Sequence, residues 1–376
     1  MASRSRSIAQ RSLPIAGRPG VPSLNHTELE ALLGLLNASS GLPQLCPLIA
    51  SCGDACTAWH DIRQHPRVQR NLAAIESRIR FGVDTIAALG VQVVTLRDAN
   101  YPERLRHLEK HAPYVLFARG RLDLIGRRTL AVVGSRRCSE YGADAARTLT
   151  STAARAGAVI ASGMALGIDG IAHESALDAG GDTIAVLGCG VDVCYPPRHR
   201  ALYERIARDG LLISEFAPGT SPFPRNFPHR NRIIAMLSHA VLVVEATISS
   251  GSLSTAARAR DFMEILAVPG PMGRAGSAGC NALIRDGATI VLSPDDVLHA
   301  LELRPALTNA VIDAAPDLSK DARQVWTVLS QDPMNVDEIT VRSRLPASAV
   351  THLLLELELS GRVRQLPGSR FAIAAQ

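Results

Sequence analysis

Apolar positions along the chain change their spacing twice, and each change marks a different architecture. Between about Asn25 and Leu89 they recur with helical period. Leu29, Leu32, Leu33 and Leu36 fall at i, i+3, i+4 and i+7, with Asn25 or Thr27 placed to cap the first turn. Gly41-Leu42-Pro43 interrupts the pattern, so the segment reads as a small module of short helices.

From Val91 to Leu298 the apolar residues gather instead into short continuous runs. These are Val91–Leu96, Tyr114–Ala118, Thr129–Val133, Ala158–Ala161, Thr183–Leu187, Leu211–Ser214, Ala240–Glu245, Ile265–Val268 and Thr289–Leu292. Continuous runs are what strands buried on both faces require. Several end at Gly or Ser and lead into a stretch of helical length. That is the βα rhythm of an α/β protein with a Rossmann-like, doubly wound parallel sheet.

Helical spacing returns after a Pro- and Ala-bearing stretch, Pro305 to Pro316. Ser319 is placed to cap a helix carrying Ala322, Val325, Trp326 and Leu329 on one face. A short helix follows near Val336–Val341, and a third starts at Pro346 and turns Val350, Leu353, Leu354 and Leu357 inward. Gly361 to Ile373 has the alternation of a β-hairpin, and three helices followed by a hairpin make a winged helix. The expected organisation is a disordered tail over 1–24, a helical SAM-like module over 25–90, a Rossmann-like domain over 91–300, a linker over 301–316 and a winged helix over 317–376.

Composition narrows the reading by subtraction. At 376 residues, 47% hydrophobic and 20% charged, this is the profile of a soluble globular protein of two or three domains. No apolar run reaches the ~18 residues of a membrane span. The net charge of +5 would hint at nucleic acid, but Arg4, Arg6, Arg11 and Arg18 in the acid-free start supply nearly all of it. The remainder is close to neutral, so any binding site must be local. The seven cysteines are odd in number and scattered, which points to a cytoplasmic chain without disulfides. Cys46, Cys52, Cys56 and His60 match no zinc-finger spacing and read as small buried thiols. No metal or cofactor is expected.

Common catalytic signatures are missing. Neither lysine follows a glycine, which excludes a Walker A loop, and Gly188-Cys189-Gly190 places Val193 where a dinucleotide fingerprint needs its third glycine. There is no HExxH and no GxSxG. His173, within Asp169-Gly-Ile-Ala-His173-Glu174, is the most enzyme-like position, and an ordinary amphipathic helix accounts for it equally well.

Three glycine–serine turns remain as candidate chemistry. Gly134-Ser135-Arg136 ends one strand, Ser162-Gly163 opens the turn that leads to Asp169, and Ser250-Gly251-Ser252 opens a helix. Turns of this kind on one sheet edge form an anion-binding rim, to which Arg136 adds a forked cation. The most specific stretch is Pro222 to Arg232. It lies in an acid-free span between Glu215 and Glu245 and interleaves Arg225, Arg230 and Arg232 with Phe223 and Phe227. Arginines that engage phosphates beside rings that stack bases suit a single nucleic-acid strand.

These residues closely resemble the bacterial DNA-processing protein A family (DprA, also called Smf). The resemblance runs from about Val91 to Leu298 through Asp98-x-x-Tyr101-Pro102, Val133-Gly-Ser-Arg136, Ser162-Gly-Met-Ala-x-Gly-Ile-Asp169, Tyr195-Pro196, Ser214-Glu215, Phe227-Pro-x-Arg-Asn-Arg232, Ser250-Gly-Ser-Leu-x-Thr255 and Gly279-Cys-Asn. It implies a non-enzymatic single-stranded-DNA binder that protects incoming strands in natural transformation and loads the RecA recombinase onto them. It also implies a homodimer formed through the Rossmann-like domain. The site it implies is a basic pocket of Gly134, Ser135, Arg136, Phe227, Arg230, Asn231, Arg232, Ser250, Gly251 and Ser252, to which the residue pattern adds Ser162, Gly163 and Arg225.

The chain departs from the family pattern in two places. Ser249 stands where many members have Lys or Arg, and Arg225 is the nearest substitute for a lysine before the Phe. A rival expectation is a nucleotide-processing enzyme of the lysine-decarboxylase-like group. Such enzymes carry a Glu soon after a similar turn, whereas Ala256-Ala257-Arg258 follows Thr255 here. The third helix of the winged domain holds Glu356 and Glu358 and no Lys or Arg, so it is expected to serve protein contacts or regulation. Arg362, Arg364 and Arg370 leave the wing as its DNA-facing part.

Overall fold

The apolar runs assemble into a single nine-stranded sheet in the computed structural model, which describes residues 24–38, 45–260, 262–304, 318–329, 334–360, 362–366 and 368–373. The tail over 1–23, the break at 41–43 and the linker over 305–316 lie outside the described residues. The strands are β1 (Gln92–Thr95), β2 (Val115–Gly120), β3 (Thr129–Val133), β4 (Val159–Ser162), β5 (Thr183–Val186), β6 (Leu211–Ser214), β7 (Ala240–Val243), β8 (Glu264–Ala267) and β9 (Thr289–Ile290). Their order is β1-β2-β6-β5-β4-β3-β7-β8-β9.

From β6 to β9 all pairings are parallel, and β3 to β7 are central strands in which every residue is buried. One expectation is corrected. β2 runs against both neighbours, pairing antiparallel with β1 and with β6, so the sheet is mixed at that side. A continuous apolar run states that a strand is buried and says nothing of its direction.

Strand order reverses at β3. From there the chain builds outward through β4, β5 and β6, then returns to lay β7 on the other side of β3. The crevice beyond the carboxyl ends of β3 and β7 is therefore the topological switch point, where open α/β sheets take ligands. The helices that frame it are α7 (Glu140–Arg155), α8 (Ile168–Asp178), α10 (Asn226–Leu237) and α11 (Gly251–Ala259), with α9 (Arg200–Asp209) between β5 and β6.

The N-terminal helices α1 (His26–Ala38), α2 (Leu45–Cys52), α3 (Ala55–Arg63), α4 (Pro66–Gln69) and α5 (Leu72–Leu89) form the SAM-like module. Asn25 Oδ1 accepts from the Glu28 amide at 2.8 Å and caps α1. Leu29, Leu32 and Leu33 sit in the same apolar cluster as Phe117, Leu187 and Leu212 of the sheet domain. The module is thus built onto the sheet domain through one shared core.

The chain divides into two compact units near Pro305. The second is a winged helix. Helices Lys320–Val328, Val336–Ser343 and Ala347–Leu359 pack around Val325, Ile339, Val350, Leu354 and Leu357. A three-stranded sheet completes it, with Arg370–Ile373 between Met334–Asn335 and Val363–Leu366.

Candidate nucleic-acid interface

Helix period governs what each residue of the Arg/Phe stretch can do, because Asn226–Leu237 is helix α10 rather than a loop. Asn226, Arg230, Ile233 and Leu237 share one face, and all are buried. Phe227 and Asn231, one step round, lie on a half-buried face at the crevice.

Phe227 is the centre of the site. Its ring lies on Gly188, where even a Cβ would come within 2.8 Å of it, so only glycine admits the contact. Tyr195, 39% exposed, stacks on the same ring at 5.5 Å between centroids. The Arg136 guanidinium lies over it at 5.5 Å. Leu166, Met164 and Gly188 complete the hollow around this cluster, about 60 Å³ in volume. Tyr195 is a site residue that the sequence reading missed. Its only signal in the sequence is the scarcity of aromatic residues, 4% of the chain.

The loop that carries Arg136 is held from beneath. Gly134 packs so closely on Ile168 that a Cβ there would meet its side chain at 2.5 Å. Ser252 Oγ donates to the Gly134 carbonyl at 2.8 Å, which joins the start of α11 to this loop. The Glu245 carboxylate accepts from the Ser139 amide and hydroxyl at 3.0 and 2.5 Å. Arg136 and Arg137 are exposed, and neither has a carboxylate within 4.0 Å among the described residues.

The backbone contribution to the expected anion rim needs correction, because most of these amides already have acceptors. The Ser135 amide donates to the Glu245 carbonyl at 2.7 Å, and that of Arg137 to Ser135 Oγ at 3.1 Å. The Ser252 amide is capped by Ser250 Oγ at 3.2 Å. In the Ser162–Asp169 turn an anion is already in place: Asp169 Oδ2 accepts from the amides of Gly163 and Ala165 at 3.2 and 3.4 Å. Charge at the rim is therefore carried by arginine side chains.

Five further candidates, Ser162, Gly163, Arg230, Arg232 and Ser252, are buried framework rather than surface. Ser162 is fully buried and its hydroxyl donates to the Val132 carbonyl at 2.6 Å. Ser252 is also buried. Arg230 is 3% exposed, and its Nη1 donates to the carbonyls of Gly163, at 2.7 Å, and Val186. Burial pushes its guanidinium down to about 10, opposed by the charge of Asp169. Burial likewise raises the Asp169 carboxyl, opposed by Arg230 and by the Ala165 and Gly163 amides.

Arg232 points away from the crevice. Its Nη2 reaches both oxygens of buried Glu215, at 2.7 and 2.8 Å, and its Nε donates to the His111 carbonyl at 2.9 Å. Neither Arg230 nor Arg232 presents its charge to solvent. What the structure brings together at the crevice is Gly134, Ser135, Arg136, Phe227, Asn231, Ser250 and Gly251, with Tyr195 and Arg137 added, whereas exposed Arg225 lies over Phe223 and lines a different cleft.

Among protein families, the model of the DNA recombination-mediator protein A matches residues 92–302, and that of the DprA winged helix domain matches 312–369. The chain belongs to the DNA recombination-mediator protein A family. A DprA relative from Mycobacterium tuberculosis is 42% identical over 264 residues, which make up 67% of this chain and 66% of that protein. The chain therefore spans just under two thirds of that relative's length. The X-ray structure of DprA from Streptococcus pneumoniae superposes with a TM-score of 0.60 at 35% identity, covering 74% of this chain and 98% of the other. DprA from Helicobacter pylori, solved for its single-stranded-DNA binding mode, superposes with a TM-score of 0.51 at 32% identity, covering 56% of this chain and 96% of the other. In this chain the cluster of Arg136, Tyr195 and Phe227 stands beyond the carboxyl ends of β3, β4 and β5.

Proposed function

We propose that the chain binds single-stranded DNA without sequence preference across the crevice at the switch point, and performs no chemistry on it. Arg136, Arg137 and Arg225 engage phosphates, an unpaired base packs against the rings of Phe227 and Tyr195, and Ser250, Gly251 and Asn231 line the strand. The observation that carries this reading is Arg136 over Phe227 on Tyr195, a cation and two rings held together at the surface. Paired bases are stacked on one another, so an aromatic platform selects an open strand. The likeness to the Helicobacter pylori protein, whose single-stranded-DNA binding mode was described, supports the same ligand.

In the cell this activity serves natural transformation and recombination. A cytoplasmic homodimer, paired through the sheet domain, protects the incoming strand and loads RecA onto it. The direct test is fluorescence anisotropy with labelled oligo-dT and a duplex of equal length. Preferential single-strand binding that collapses in Arg136→Gln supports the reading. Equal affinity for duplex, or an unchanged Arg136→Gln variant, overturns it. For the recombinase step, RecA filament assembly on strand pre-bound by this protein should be accelerated relative to strand held by Arg136→Gln. A rival nucleotide-processing activity would appear as free base released from nucleoside monophosphates.

A further inference from the structure

A second basic cleft lies beyond β6, between the helical module and the 216–226 segment of the sheet domain, with a volume of about 1330 Å³. Arg67, Arg70 and Arg78 line one side and Arg225 the other, and no Asp or Glu is among its lining residues. The three module arginines are exposed, and none has a carboxylate within 4.0 Å among the described residues. Two of these four guanidiniums are directed by local contacts. Arg70 Nε donates to the Pro66 carbonyl at 3.3 Å, and Arg225 lies 5.7 Å from the centroid of the Phe223 ring.

Two of the seven phenylalanines also line this cleft with half of their surface exposed, Phe81 at 51% and Phe223 at 50%. Phe81 projects from α5 against Gly219, where the two walls meet. Exposed phenylalanine beside unpaired arginine is the combination that takes an unpaired strand rather than an acidic peptide, which would need no stacking platform.

The cleft is continuous with the crevice. Arg225 and Asn226 line the cleft, while Phe227, the next residue, lines the hollow under Arg136. The hollow is lined by residues that follow β3, β4 and β5, and the cleft by residues that follow β6, the neighbour of β5, so the two meet about one strand spacing, roughly 5 Å, apart. We propose that the cleft between the helical module and the sheet domain is an extension of the strand path, in which Arg67, Arg70 and Arg78 hold phosphates several nucleotides from Phe227. This rests on the crevice being a single-strand site and lengthens that site. It also gives the helical module a binding role of its own.

Strand length separates the two ideas. Full-length protein is titrated with oligo-dT of about 6 and about 20 nucleotides at several salt concentrations, lengths that bracket the strand path of a small binding domain. The variant combines Arg67→Gln, Arg70→Gln and Arg78→Gln, all exposed positions. It should bind the short strand as the wild type does. For the long strand its log Kd against log salt should be shallower by about 2, the loss of three single-strand phosphate contacts at roughly 0.7 each. A long-strand affinity and slope equal to wild type overturn the extension while leaving the crevice intact. Loss of short-strand binding in the triple variant also overturns it, since the arginines would then act at the crevice itself. Failure of the wild type to bind either strand overturns both readings.

Discussion

The Arg136 guanidinium lies over the face of Phe227, 5.5 Å from the ring centroid, and takes part in no ion pair among the described residues. The two residues divide the work of strand binding in a way that salt can resolve. Phe227→Leu keeps the contact with Gly188 and removes the aromatic face, so it should weaken oligo-dT binding by about 1–3 kcal/mol with an unchanged salt slope. Arg136→Gln should weaken binding and flatten log Kd against log salt by about 0.7. Anisotropy titrations across a salt series read both. Equal slopes in the two variants would refute the division.

Sequence pattern sufficed for the strands and fell short for the arginines, for a physical reason. β3 to β7 are buried on both faces, so their runs are unbroken and conspicuous. Arg230 and Arg232 look like Arg136 in composition, and only their phase on α10 distinguishes them. Arg230 falls four residues after Asn226 and three before Ile233, in register with the buried face. Composition and charge in Pro222–Arg232 point to a binding stretch and take no account of that phase. The reversal of β2 and the core shared by the helical module and the sheet arise from long-range packing, on which local periodicity is silent. Tyr195 stacks on Phe227, 32 positions later, and nothing in the sequence places the two side by side.

Arg232 offers a test of what is framework. Its fork on Glu215 is 4% and 3% exposed on the two sides, so truncation leaves a buried carboxylate with only His229 beside it, at 3.0 Å. Arg232→Ala should cost roughly 3–5 kcal/mol of stability. Urea denaturation would show this as a lower midpoint with an unchanged m value. At temperatures where the variant remains folded, its salt slope for oligo-dT should equal that of wild type. A flattened slope would mean that Arg232 contacts phosphate after all.

The winged domain has its own core of Val325, Ile339, Val350, Leu354 and Leu357, and every crevice residue lies in the first unit. Ending the chain at Pro305 should therefore leave the sheet domain folded and its oligo-dT affinity unchanged. The helix Ala347–Leu359 exposes Leu355 and Leu359, at 54% and 81%, beside Glu356 and Glu358. That surface suits a protein contact better than phosphates. A marked loss of oligo-dT affinity on truncation would instead assign strand contacts to Arg364 and Arg370 of the wing.

His173 links the framework to pH. It is fully buried on the inner face of α8, its Nδ1 lies 2.7 Å from Thr183 Oγ1, and Thr183 in turn donates to the Ile160 carbonyl at 2.7 Å. With the Thr183 proton so used, His173 Nδ1–H must be the donor, and the ring is neutral with its Nε2 buried and unpartnered. Burial, aided by the charges of His199 and Arg230, holds this imidazole down at about 3, against 6.5 ordinarily. Between those values the unfolded chain binds a proton that the folded one refuses, so stability rises with pH across the window and is lost on acidification. The slope from this one residue reaches at most about 1.4 kcal/mol per pH unit. His173→Asn keeps a donor toward Thr183 and cannot titrate. It should be less stable than wild type at neutral pH, yet lose less stability between pH values of about 6 and 4. Urea midpoints at those two pH values decide the matter, and parallel losses in the two proteins would remove His173 as the source.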